Sequence, residues 1–534
     1  MSCEKRIAMR KIKSLNYNRI FVIILTMQIL NLLFWGAQKG GYYIDEMSSY
    51  GLSNGYYCPF LQDTEGYMNH WHEPSFYMNW LTTSEEDRFC YGSVYDNQAN
   101  DVHPPFYYFL LHTICSLFPN IFSKWFGLLP NVIFFGLTVF CLFLLSKKLL
   151  GDNKLSLVPP LLYGFSVGGL STAVYIRMYM MLTFWGILFL YLAVLLLEDK
   201  PKYLATFATV FAGGMTQYYF WILAFFATGT AVIWNLCRKK WKSTILFATT
   251  VLAGVVAGML FFPASVTNLF FGTRTSEIVD NVNAGLRVFL RRMDVFLRII
   301  GKELFLGKYG CYVLVLALIL GVVGSAFVLA LKKDKKELLA RCKVDWKVLW
   351  LCLLSAAGYF LVMVKISTDM VDRYFFSIYP LLLLLALAVF LCVGRIWKVK
   401  AGFVWGIAGV YLCVTFFLYG KGDIQYLYPG YDEALRQMQT EYSDAPALYV
   451  TKGNHLIANN CLFLAQQKRS MPIVPEGLEG ITREELGSDS LILYVDIYYD
   501  EDATAQYATD LLGYDKVKLL YDNTFTQIYV LEEE

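Results

Sequence analysis

Residues Ile20–Trp35 read IFVIILTMQILNLLFW, a run without a charge, and a few positions later Gly40–Ser48 read GGYYIDEMS. With its flanks, such a run reaches the roughly 17–25 residues that a helix needs to cross a bilayer core. Six basic residues precede it: Lys5, Arg6, Arg10, Lys11, Lys13 and Arg19. A secretory leader starts the same way, but no Ala-x-Ala-like site closes the run, so it reads as an uncleaved first span. Two adjacent carboxylates, Asp45 and Glu46, stand just past its end.

The same pattern recurs along all 534 residues. Hydrophobic residues make up 57% and charged residues 17%, against roughly 25% charge in soluble domains. Eleven apolar runs can be walked: 20–37, 126–146, 155–174, 177–197, 202–216, 217–236, 243–262, 309–331, 348–366, 373–393 and 401–420. Lys147-Lys148, Lys200 with Lys202, Arg238–Lys242, Lys332–Lys336 and Arg395–Lys400 then fall on one side with the basic N-terminus. By the positive-inside rule that side is the cytoplasm, and the C-terminus lies outside. Phe106–Phe118 is apolar but short and holds His112, so it reads as an interfacial or re-entrant helix. A net charge of +3 gives no footing for nucleic acid.

The expected architecture is an α-helical polytopic membrane protein of about eleven spans with a small C-terminal extracytoplasmic α/β domain. Residues 1–19 form a cytoplasmic segment, and 20–420 the membrane domain with outer loops 38–105 and 263–308. In the second loop, Leu286–Ile300 has apolar residues at helical spacing with Arg287, Arg291, Arg292 and Arg298. It reads as an amphipathic helix lying on the membrane, its arginines on a solvated face. Residues 421–534 hold eight basic and twenty acidic residues and no spanning run. Stretches 447–450, 491–496, 517–521 and 525–531 read as strands, and 431–442, 455–467 and 503–512 as helices. Cys58 and Cys90 share the first outer loop, and whether they pair stays open. No CxxC or His-x-x-x-His spacing marks a zinc site.

Candidate chemistry gathers at the outer ends of the runs. A carboxylate such as Asp45 or Glu46 at a low-dielectric border can act as a base or hold a divalent cation; the bland alternative is a hydrophilic stop. Asp101-Val102-His103-Pro104-Pro105 ends the first loop, and its prolines keep His103 out of helical geometry. Tyr175-Ile176-Arg177-Met178-Tyr179 and Asp372-Arg373-Tyr374 place arginines at membrane depth, where a charge is costly and marks a functional candidate. The guanidinium fork suits phosphate oxygens. Snorkelling, or pairing of Arg373 with Asp372 or Asp369, is the structural alternative. Thr216-Gln217-Tyr218-Tyr219 adds polar groups at a third outer turn.

In order, the Asp-Glu after the first span, the His-Pro-Pro-x-Tyr-Tyr, the Arg-Met-Tyr turn, the polar-Tyr turn and the late Arg-Tyr resemble the GT-C superfamily of membrane glycosyltransferases. The resemblance spans about residues 20–420 and is strongest to bacterial relatives of the protein O-mannosyltransferases and the aminoarabinose lipid A transferases. It implies transfer of a sugar from a polyprenyl-phosphate donor, at the outer face, with inversion. It implies Asp45 as the catalytic carboxylate with Glu46 beside it, and Asp101 and His103 in the first-loop site. Arg177 and Arg373, with Tyr179 and Tyr374, fall near the donor phosphate. Tyr175 stands where relatives often carry Glu, and Gln217 where they often carry His; both are read as substrate-binding positions. The resemblance does not settle metal use, and a divalent cation stays open. Partners are the polyprenyl-phosphate sugar and membrane lipid; the acceptor is a protein, glycan, cell-wall polymer or lipid. The competing readings are a transporter and a catalytically inactive lipid- or sugar-binding protein.

Overall fold

In the computed structural model, residues 3–271, 273–307, 310–331 and 343–533 are described; the Lys332–Lys336 cluster lies outside the described residues. Eight helices among them are long and apolar enough to cross a membrane: Asn16–Gln38, Lys124–Leu150, Tyr179–Leu197, Tyr219–Cys237, Trp241–Phe261, Trp346–Ile366, Phe376–Ile396 and Gly402–Gly420. Leu155–Phe165 and Val167–Val174 form a further pair bent by 54°. The expected single run 155–174 is thus broken, and Ser166 explains the break. Its hydroxyl accepts the Gly169 N–H at 2.9 Å and caps a new helix, a geometry that ends one helix and starts the next.

The remaining two expected runs are also helical. Tyr203–Thr216 has 14 residues, about 21 Å at 1.5 Å per residue, short of the roughly 30 Å hydrocarbon core. Gly310–Leu331 has 22 residues. Among the described residues eight helices, or nine with the bent pair, are candidate spans by length and composition; the sequence suggests about eleven.

The chain divides into two compact units. The first comprises residues 1–35, 102–104 and 128–425 and holds the helical bundle. Its helices close where small residues allow it: a Cβ on Gly358 would come within 2.4 Å of the Phe226 ring. The Leu286–Leu304 helix does form, with Arg287 and Arg291 exposed. Arg292, however, is buried rather than solvated. Its Nε donates to Val364 O at 2.8 Å, and Nη2 donates to Ser367 O and to Ser367 Oγ at 2.6 Å. The guanidinium thereby satisfies the carbonyls at the C-terminal end of Trp346–Ile366, groups every helix leaves unpaired.

The second unit comprises residues 36–101, 105–127 and 426–534. The long loop after the first span thus folds with the C-terminal segment. That segment carries β1 (Pro446–Val450), β2 (Arg469–Ile473), β3 (Ser490–Asp496), β4 (Lys516–Asp522) and β5 (Thr526–Glu532). They form one sheet of order β2-β1-β3-β5-β4, parallel across the first three and antiparallel beyond. Leu448, Val450, Leu491, Leu493 and Leu531 fill its core. β2 is the strand that the sequence does not suggest, because Pro472 sits inside it. An edge position tolerates proline. First-loop backbone covers that edge: His72 and Ser470 exchange N–H···O bonds at 2.7 and 2.9 Å, and Asn69 N donates to Pro472 O at 2.8 Å. Phe106–Leu117, with 12 residues, belongs to this unit and buries His112.

Candidate active site

In the first unit the Arg177 turn is held from below. Asn131, buried within Lys124–Leu150, donates to Ala173 O at 3.1 Å and to Tyr175 O at 2.6 Å. The Arg177 N–H donates to Tyr175 O at 2.7 Å. The Arg177 side chain is only 4% exposed, and its Nη2 lies 3.4 Å from His103 Nε2. Guanidinium has no acceptor atom, so His103 accepts at Nε2 and carries its proton on Nδ1.

His103 and Gln217 line one cavity of about 500 Å³ with Tyr218, Tyr219, Trp221 and Asn268 at its polar part. Phe225, Phe226, Val362 and Ile366 continue it as an apolar wall. Gln217 is buried, and its Oε1 accepts the Tyr218 N–H at 2.8 Å.

The Arg373 turn touches one residue of the cavity wall, Tyr219, through the ring of Tyr374. Asp372–Tyr374 is a short 3-10 helix, and the Arg373 N–H donates to the Asp372 carboxylate at 2.7 Å. Tyr374 is buried, its carbonyl accepting from Tyr359 and its hydroxyl 2.9 Å from Thr368 Oγ1. Its ring packs edge-on against Tyr219, 5.7 Å between centroids. The two arginine turns are further tied together by rings: Tyr175 stacks on Tyr179 at 5.9 Å, and Phe376 meets both edge-on.

Glu303 is a neighbour that sequence reasoning passes over. It is buried at the end of the Leu286–Leu304 helix. Burial, and then the charge of nearby Asp372, push its carboxyl well above the usual carboxylate range. Both effects favour the protonated form of this carboxyl beside the Arg373 turn. The signal was present: Phe296, Ile300 and Glu303 share one helix face, so an acid falls in the apolar stripe.

In the second unit, Asp45 and Glu46 open the Ile44–Asn54 helix. Glu46 is fully buried. Its two carboxylate oxygens lie 2.9 and 3.0 Å from Lys39 Nζ, and Oε2 also accepts the Tyr43 N–H at 2.7 Å. Lys39 donates its remaining proton to Tyr426 O at 2.5 Å. Burial pulls the Lys39 pKa down, with Glu46 opposing it. Asp45, one residue earlier, is partly exposed, as is Asp101. Cys58 and Cys90 are both free thiols in this structure. No group of three or more His, Cys, Asp or Glu arranged for a metal occurs among the described residues.

Residues 102–263 match the family described as dolichyl-phosphate-mannose-protein mannosyltransferase. That match takes in His103, Tyr175, Arg177, Tyr179 and Gln217 but covers less than half of the chain. The structure is similar to the crystal structure of ArnT from Cupriavidus metallidurans bound to undecaprenyl phosphate, with a TM-score of 0.51 and 10% identity over 95% of this chain and 97% of that one. This is the GT-C fold. The GT-C resemblance read from the residue pattern therefore holds at the level of architecture. The crystal structure of the Archaeoglobus fulgidus oligosaccharyltransferase complex with Zn and sulfate aligns at a TM-score of 0.47 and 13% identity, over 95% of this chain and 72% of that one. Among curated proteins, none matches by sequence.

Proposed function

We propose that this GT-C protein transfers a sugar from a polyprenyl-phosphate donor to an acceptor at the outer face of the membrane. The observation that carries the reading is the cavity lined by His103 and Gln217. It is polar where His103 touches the buried Arg177, and apolar along Phe225, Phe226, Val362 and Ile366. Such a cavity suits an amphiphile with an anionic head, which is what a lipid-linked phosphosugar is. The family description names a dolichyl-phosphate-mannose donor, and the ArnT crystal structure holds undecaprenyl phosphate; both agree with that chemistry.

In this reading the acceptor hydroxyl attacks the anomeric carbon as the carbon–oxygen bond to phosphate breaks, so the configuration inverts. Asp45 takes the hydroxyl proton. The polyprenyl phosphate leaves with its charge met by Arg177 and Arg373, charge-assisted donors in a partly desolvated setting. Tyr179 and Tyr374 hold the two arginine turns. Tyr175, Gln217, Asp101 and His103 contact or orient the substrates. Glu46, locked on Lys39, sets the helix that presents Asp45. The proposed topology places residues 1–19 in the cytoplasm, the membrane domain at 20–420, and residues 421–534 outside.

The test is transfer from a polyprenyl-phosphate sugar in membranes carrying Asp45→Asn or Arg177→Lys, with folding checked. Loss of a general base lowers turnover on the order of 10²–10⁴-fold. Arg177→Lys keeps the charge but loses the fork, and raises the donor KM. Full transfer by Asp45→Asn removes Asp45 from the mechanism. Wild-type protein that binds donor without transferring it is the inactive relative instead.

A further inference from the structure

A second cavity, of about 370 Å³, lies wholly in the second unit and apart from the His103 cavity. It is built by the first outer loop between the end of the Ile44–Asn54 helix and the Pro74–Leu81 helix. Three rings line it: Tyr56, Phe76 and Trp80. Trp80 is fixed, its Nε1 donating to Cys58 O at 3.0 Å and its ring pressed on Gly51, where a Cβ would come within 2.0 Å. Tyr56 is 57% exposed, and its ring meets Tyr57 edge-on, 4.9 Å between centroids.

The polar lining has hydrogen-bonding capacity to spare. Asn79 makes no side-chain hydrogen bond among the described residues, and Asp87 spends only Oδ2, on Ser84 at 2.6 Å. Thr64 has only the Cys58 thiol, at 3.7 Å. The charge of the surroundings narrows the ligand. No basic residue lines the cavity. The nearest one in sequence, Arg88, is committed elsewhere: Nε donates to Ser116 O at 2.7 Å and Nη1 to Glu85 at 3.1 Å. A phosphate, sulfate or uronate would meet Asp87 with no cation to offset it. An apolar ligand would strand the Asn79 amide and the Asp87 oxygen.

Rings that stack on C–H faces, together with an amide and a carboxylate that pair with adjacent hydroxyls, fit a neutral saccharide. We propose that this first-loop cavity binds one or two neutral sugar residues of a glycan acceptor. The proposal deepens the transferase reading by naming the acceptor class, and it depends on that reading only for the word acceptor.

The experiment uses the full chain in nanodiscs, with mannotriose, maltotriose and chitotriose as probes and saturation-transfer NMR as readout. Mannose 6-phosphate and a lysine-rich peptide are the contrasts. At least one neutral trisaccharide should bind. Tyr56→Ala and Asn79→Leu, both at exposed positions, should weaken it roughly three- to tenfold each, the scale of one stacked ring or one hydrogen bond. Thermal unfolding of both variants should match wild type. In a transfer assay the same variants should raise the acceptor KM and leave kcat unchanged. Binding that persists in Asp45→Asn, with no transfer by wild type, keeps the cavity and removes the transferase. The proposal is overturned if none of the three saccharides binds, if both variants bind as wild type does, or if the phosphosugar or the peptide binds in their place.

Discussion

Glu46→Gln should unfold the second unit rather than switch off a reaction. Lys39 and Glu46 are both 0% exposed, and the ammonium places its protons on both carboxylate oxygens and on Tyr426 O. Neutralising Glu46 leaves a buried cation with neutral acceptors only, the Gln amide oxygen and Tyr426 O, and no opposing charge. Breaking a buried pair from one side costs about 3–5 kcal/mol. For a unit of this size that lowers the unfolding midpoint by roughly 6–20 °C, at about 2–4 °C per kcal/mol. Lys39→Met should cost a similar amount, because it strands the carboxylate. The double variant Lys39→Met/Glu46→Gln should recover much of the loss, since no buried charge is left unpaired.

pH adds a second signature. In Glu46→Gln the Lys39 pKa falls further below its unfolded value, because the partner that raised it is gone. The penalty is then full below the depressed folded pKa and shrinks as pH rises towards about 10.4, the unfolded value. Thermal scans of the full chain at pH 7 and pH 9.5 measure it, with transfer assayed per folded molecule. If Glu46→Gln melts like wild type yet loses transfer, the clamp is the wrong account and Glu46 belongs to the chemistry.

Three further outcomes follow from the same structure. Arg292→Leu leaves Val364 O without its Arg292 donor and Ser367 O with Asn281 Nδ2 at 3.1 Å, and should cost about 1–3 kcal/mol for the stranded group; Arg292→Lys should restore only part of this in thermal scans, since one ammonium cannot reproduce the fork. Burial pushes Asp496 up to about 6 against hydroxyl bonds that pull the other way, so its contribution is fully present below about pH 4 and is lost as pH rises through 6, roughly 3 kcal/mol in all; denaturation at pH 4 and 8 should show this in wild type and not in Asp496→Asn. Glu303→Gln cannot ionise in either state, so its stability should exceed that of wild type increasingly as pH rises above about 4.5, where unfolded wild type ionises and the buried folded carboxyl resists doing so; parallel pH profiles for the two proteins would contradict the assignment.

What could be read from the sequence is what is encoded one-dimensionally. An apolar run announces a span through its length alone, so most of the bundle was legible, and so was the short Phe106–Leu117 helix. Arg177 and His103 were legible because each violates a local rule, a charge at membrane depth and a histidine ahead of two prolines. Their contact was not, since 74 residues separate them. Glu46 looked like half of a catalytic pair because its partner, Lys39, looks from sequence like an ordinary cation at the end of a span. Only the folded second unit shows that its ammonium is shut off from water. β2 was hidden by Pro472, which argues against a strand until one knows that the strand lies at an edge and that first-loop backbone pairs with it. Each miss has one cause. Local patterning states what a residue prefers, while a buried pair, a helix-end clamp or a covered edge is decided by a distant segment that arrives only with the fold. For this protein the consequence is specific: Asp45 keeps its candidacy because it is the partly exposed member of the pair, whereas Glu46 is buried against the Lys39 ammonium and the Tyr43 N–H.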